Sequence, residues 1–137
     1  MQLRGLSQSP HAVPVAIRLS FSAVFLYSAA TKLIGFDAAV TEMAGLGLPF
    51  PSLAAAGTII VQLVGGLAVA AGLFVFPAAI ALAVFTFAAT LIGHPFWTFD
   101  GPEFTRQLTT TLEHVAIMGG LVLLAYDHTA RRRQVRT

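Results

Sequence analysis

The chain has 137 residues, of which 56% are hydrophobic and only 10% charged, with a formal net charge of +2; soluble domains carry about 25% charged residues. So little polar sequence could not cover a water-soluble core, and the composition points to one domain embedded in a bilayer. There is no cysteine. That excludes disulfides, thiolate metal sites and thiol–disulfide chemistry by this chain, including electron transfer from cysteine pairs to quinone as in some small four-helix membrane enzymes.

Residues 1–13 form an N-terminal arm carrying Arg4. A first membrane span is expected over 14–34, opening on Pro14, which lacks only a donor that would be unpaired at a helix start. Arg18 and Lys32 lie near its opposite ends. Arg18 is expected to snorkel as an interfacial anchor. Lys32 shares a face with Ser22, Phe25 and Ser28 and can point into the bundle, with Tyr27 about one and a half turns further in. Ser28-Ala29-Ala30 has the small residues of a signal-peptide cleavage site, but Arg18 interrupts the apolar region before it, so the segment is expected to be retained.

Between residues 35 and 52, Phe36, Val40 and Met43 recur at helical spacing, with Asp37 and Glu42 on other faces. This reads as a short interfacial helix followed by a turn at Gly47-Leu48-Pro49-Phe50-Pro51. Residues 43–99 contain no Asp, Glu, Lys or Arg. That run is too long for one span of about 20 residues and suits two. They are expected at 53–73 and 76–93, joined by the tight link Phe74-Val75-Phe76-Pro77. Gln62 falls near the bilayer middle on a stripe with Ala55, Thr58, Gly65 or Gly66, and Val69. Small residues there let helices approach, and the amide can bond across the contact or touch a ligand. Ala79, Ala83, Thr86 and Thr90 form one face of the third span.

His94-Pro95-Phe96-Trp97 closes that span. Phe96 and Trp97 fit an interfacial aromatic belt, and His94 stands where a pocket mouth would be. Residues 94–107 read as a polar connection, and the fourth span is expected over 108–126. Glu113 lies about two turns inside it, on a stripe with Thr109, Ala116 and Gly120. A carboxylate inside a membrane needs a partner or a proton. The best-placed cation is Lys32, with His114 and His94 as second partners; a structural pair and a functional proton or ligand site both remain open. The chain ends in a basic tail, 127–137, with Arg131, Arg132, Arg133 and Arg136.

The expected architecture is therefore an all-α, integral membrane, four-helix antiparallel bundle. By the positive-inside rule both termini face the cytoplasm, and the two longer connections face outward. The outward half would collect Tyr27, Lys32, Gln62, Thr86, Thr90, His94, Glu113 and His114 around a small, largely apolar molecule. No metal site is expected, because the histidines lack a tight ligand spacing. No nucleotide motif occurs, and a short basic tail beside a span marks a membrane side rather than nucleic-acid binding.

Five stretches in order carry a family resemblance: Lys32-Leu33-Ile34-Gly35-Phe36; Met43 to Pro51; Gln62-Leu63-Val64-Gly65-Gly66-Leu67; Gly93-His94-Pro95-Phe96-Trp97; and Gly119-Gly120-Leu121-Val122-Leu123-Leu124. On these the chain resembles the DoxX family from about Val15 to Ala125. The resemblance implies a multi-pass protein of the bacterial cytoplasmic (inner) membrane, associated with redox and oxidative-stress biology. Relatives include a subunit of a thiosulfate–quinone oxidoreductase. Three positions depart from the family's habits. Gln62 stands where relatives often have glutamate. Glu113-His114 stands where they often have lysine and asparagine. The link Phe74-Val75-Phe76-Pro77 lacks their frequent basic residue. Together these suggest a charge exchange that leaves Lys32 balanced by Glu113. The expected function is an accessory or membrane-anchor subunit of a redox pathway. No catalytic motif is present; quinone is the cofactor the resemblance allows, and a partner oxidoreductase or a homo-oligomer the assembly. The alternatives are a non-enzymatic protein that binds or passes a small molecule or lipid, or a scaffold recruiting a partner.

Overall fold

Four helices long and apolar enough to cross a membrane dominate residues 12–134, the part of the chain that the computed structural model describes. They are α1 (Ala12–Ile34), α3 (Pro51–Ala71), α4 (Val75–Gly93) and α5 (Gly101–Gln134). A short helix α2 (Phe36–Gly45) lies between the first two, and a 3-10 turn (Phe96–Thr98) precedes the last. No strand occurs among the described residues. Arg4 and Arg136 fall outside them.

The first three spans match their expected positions to within two residues. The fourth does not: α5 runs for 34 residues, about 51 Å at 1.5 Å per residue, against about 30 Å of hydrocarbon. It absorbs the second half of the expected polar connection and most of the basic tail. Charge pairs at helical spacing extend it at both ends. Glu103 accepts from Arg106 Nε at 2.9 Å, and Asp127 from Arg131 Nε at 2.7 Å. Arg131, Arg132 and Arg133 in the last turn also suit the negative end of the helix dipole.

The spans pack in chain order, α1 on α3, α3 on α4 and α4 on α5, while α2 lies against α3. We call the end bearing the α3–α4 link and the C-terminal part of α5 the base, and the opposite end the top. Gly65 and Gly66 make the central contacts possible. Leu82 of α4 lies over Gly65 and Leu26 of α1 over Gly66, each 2.9 Å from where a Cβ would stand. The apolar core sits toward the base, where Phe25, Val69, Val75, Ala79, Leu82, Leu121 and Leu124 meet. The outward surface carries exposed Ile60, Val64, Val84, Phe87, Val115 and Leu123, an apolar belt that suits lipid as solvent.

Both ends of α3 are set by left-handed backbone. Gly72 (φ 74) caps its C-terminus, and Phe50 (φ 54) precedes its first residue. Phe74 (φ 48) does the same before α4. A phenylalanine in this region is strained, and both rings are about three-quarters exposed, turned outward at opposite ends of the bundle.

Arg18 does not simply reach for the interface. Its guanidinium lies 2.6 Å from where a Gly72 Cβ would stand, and its Nε is buried without a hydrogen-bond partner. The α3–α4 link thus takes its basic neighbour from α1.

Candidate functional site

Above the apolar core, the polar faces of the spans enclose a cavity of about 560 Å³, within the range of small-molecule sites. Thr86 reaches it from α4, donating its hydroxyl proton to the carbonyl one turn below at 2.7 Å. Thr90, one turn higher and outside the lining, lies 2.6 Å from the Thr86 carbonyl and 2.8 Å from His114 Nδ1, and its hydroxyl links the ring to α4.

A second chain of bonds runs along the top. Glu103 accepts from Gln107 Nε2 at 2.8 Å. A carboxylate cannot donate, so the amide nitrogen of Gln107 is committed there and its Oε1 is left to accept. His94 Nδ1 is 2.8 Å from that oxygen and is therefore the donor. In a neutral His94 ring this leaves Nε2 an acceptor. The two histidine rings meet edge to face with centroids 5.1 Å apart. Glu103 lies above the apolar stretch of α5, and hydrogen bonds from Arg106 and then Gln107 hold its carboxyl below the usual range.

Gln62 reaches the cavity from α3, 7% exposed, with Oε1 buried and unpartnered. The expected interhelical hydrogen bond through this oxygen does not form. A buried acceptor without a partner costs about 1–3 kcal/mol.

Thr90 stands at hydrogen-bond distance from His114 without lining the cavity, and five of the eight expected pocket residues converge on it: Lys32, Gln62, Thr86, His94 and His114. Tyr27 does not; it is 74% exposed on the outer face of α1. Glu113 does not line it either. Its side of α5 is exposed at Thr109, Glu113 and Ala116, so the stripe expected to face the bundle faces outward there. The Lys32–Glu113 pair is replaced by Lys32–Glu42, with Nζ and Oε2 3.6 Å apart at the cavity mouth. The reason is proximity: α2 folds back beside the end of α1, whereas α1 and α5 scarcely meet. A carboxylate on a lipid-facing helix surface costs roughly 3 kcal/mol, so the outward position of Glu113 is held against that cost. Phe96 packs edge to face on Trp97 and Phe104, and Trp97 is 58% exposed at the top, the setting expected of aromatic anchors.

Gln107 and Glu42 were absent from the expected set. Glu103, Arg106 and Gln107 stand at helical i, i+3, i+4 spacing, the signal that their segment is helix rather than loop. No group of three or more histidine or acidic residues is placed to hold a metal ion among the described residues.

The DoxX family matches residues 13–95, which cover α1 to α4 and leave α5 outside. The inner membrane protein YphA of Escherichia coli (strain K12) is 30% identical over 108 residues, 79% of this chain and 77% of that protein. No solved structure matches. The Gly119–Leu124 stretch of the resemblance lies beyond the family match, but more than half the chain lies within it. A four-span membrane protein with a polar cavity at one end of the bundle, this chain belongs to the DoxX family.

Proposed function

We propose that the protein is a membrane subunit of a redox pathway of the inner membrane, holding a quinone-class molecule in the cavity for a partner oxidoreductase. Both termini lie in the cytoplasm on this reading, since Arg131, Arg132 and Arg133 at the base follow the positive-inside pattern. The cavity then opens in the outward half. The observation that carries the reading is the buried, unpartnered Gln62 Oε1 in a cavity that His94 and His114 also line. Such groups anchor the polar head of a ligand whose remainder is apolar.

The roles divide by position. Gln62 and Thr86 hold the head at the cavity floor. His94 and His114 exchange protons with the head group as it changes its protonation. The Lys32–Glu42 pair at the mouth keeps a balanced charge there. Electrons pass to or from the partner, since this chain presents no redox-active side chain of the cysteine kind.

The experiment is purification from native membranes in lipid nanodiscs. Extracted lipids are then assayed for quinone, and co-purifying proteins are identified. The reading expects about one quinone per chain and an oxidoreductase partner. Protein that retains no quinone above the bulk membrane ratio and brings down no oxidoreductase contradicts it.

A further inference from the structure

The α1–α5 contact is one-sided. Toward the base, the ring of Phe21 on α1 lies directly over Gly120 on α5, so close that a side chain there would overlap it. Gly120, Ala116, Glu113 and Thr109 share one stripe of α5 by helical spacing. Phe21 covers the stripe at Gly120. One turn higher it is bare, and Ala116, Glu113 and Thr109 are exposed. On α1 the corresponding positions above Phe21 are Val24, Phe25, Ser28 and Lys32, all of which line the cavity. From α5 the cavity is lined by Ile117 and His114, neighbours of the bare stripe. Above the Phe21–Gly120 contact, then, α1 and α5 part. The gap lies level with the apolar part of α5, where the surroundings are lipid rather than water.

The group at the end of this gap that lacks a partner is an acceptor: Gln62 Oε1 is buried and unpaired. Gln107 Oε1 takes the Nδ1 proton of His94, so a neutral ring there offers Nε2 as a second acceptor. A head group bearing only carbonyl oxygens would leave Gln62 Oε1 without a donor. A hydroxyl head would satisfy it.

We infer that the cavity is loaded sideways from the bilayer through the slot between α1 and α5, and that it takes an amphiphile with a hydroxyl head of the phenol or quinol class. The tail lies in the slot past Val24 and Ile117. The head is held at Gln62 and the histidines. This rests on the ligand-binding reading above and narrows it to the reduced, hydroxyl-bearing form. The slot also places Glu113 at its edge, where an occupying tail shields the carboxyl from open lipid.

The test uses the full chain in phosphatidylcholine nanodiscs. The probes are radiolabelled 4-dodecylphenol, its O-methyl ether and tail-less phenol. Wild type binds dodecylphenol, and the ether binds at least about tenfold more weakly, as loss of a buried hydrogen-bond pairing requires. Ala116→Trp, on the exposed stripe, slows association of dodecylphenol by at least about tenfold while phenol binding stays within about twofold. Val115→Trp, exposed at the same depth but about 100° around α5 from Ala116, changes neither and controls for the added indole. Equal affinity for phenol and ether overturns the hydroxyl head. An Ala116→Trp variant that slows neither probe, or both alike, overturns lateral loading, while wild-type binding still supports the cavity as a site. Wild type that binds no probe and retains no quinone overturns both readings.

Discussion

Replacing Gly65 by alanine tests whether α3 and α4 are held at the separation seen here. The added Cβ would stand 2.9 Å from both Cγ and Cδ2 of Leu82 and 3.3 Å from Cδ1. Favourable carbon contacts are about 3.5–4.0 Å, so the overlap is about 0.6 Å or more at two atoms. Leu82 is fully buried in the apolar core and has no free space to turn into. Overpacking of this kind costs about 1–3 kcal/mol. The gain in helix propensity from glycine to alanine returns about 0.5–1 kcal/mol, leaving a net loss of roughly 1–2 kcal/mol. Gly57 on the same helix is the internal control, since nothing lies within 4 Å of its would-be Cβ. Gly57→Ala should therefore be neutral or stabilising by up to about 1 kcal/mol. Reversible unfolding of the purified protein in mixed micelles, titrated with SDS, measures both. The double variant Gly65→Ala/Leu82→Ala should lose less than the sum of its single losses, because the smaller side chain relieves the clash that the larger one creates. Gly65→Ala as stable as Gly57→Ala would refute the packing argument.

Three further outcomes follow from the site. A double-mutant cycle on Lys32 and Glu42 should give a coupling of about 0.2–1 kcal/mol, whereas the same cycle on Lys32 and Glu113 should give none; coupling at Glu113 would restore the ion pair expected from the sequence. Gln62→Leu should leave the ligand-free protein as stable as wild type or more so, because it removes an unpartnered buried oxygen, while ligand affinity falls by about tenfold or more. A large loss of stability without ligand would show that the amide is structural. Glu103 has its carboxyl lowered by Arg106 and Gln107. Its contribution to stability is therefore present above the ordinary glutamate value of about 4.3 and is lost as pH falls through the lowered folded value. Glu103→Gln should flatten that part of the acid limb in a pH series of melting curves, and an unchanged limb would count against the pairing.

The spans were legible because hydropathy and length act locally. Residues 43–99 carry no formal charge, and two helices with a tight link follow almost directly. The small-residue faces were legible for the same reason, so Gln62, Thr86 and Thr90 are buried as their spacing predicts. The outward turn of Glu113 was not legible. Its stripe of Thr109, Ala116 and Gly120 has the composition of a helix contact, but only the Gly120 end receives a partner, and that depends on how α1 leans. The partner of Lys32 was missed for a related reason. Its distance to Glu42 is fixed by the fold-back of α2, which charge spacing along the chain does not encode. The length of α5 was hidden by polar residues that lowered its hydropathy while stabilising it as helix through i, i+3 and i, i+4 pairs. The family habits at Gln62 and at Glu113-His114 drew attention to the right helices, but the hydrogen bonds that join the histidines to Thr90 and Gln107 needed three dimensions.

The most direct test of the central claim is photolabelling of the reconstituted protein with a quinol that carries a photoreactive group on its ring, followed by peptide mapping. The account predicts labelling concentrated within residues 24–32 of α1, 85–94 of α4 and 113–117 of α5, and abolished by excess unlabelled quinol. Label spread over the lipid-facing positions Val64, Val84 and Leu123, with no competition, would contradict it.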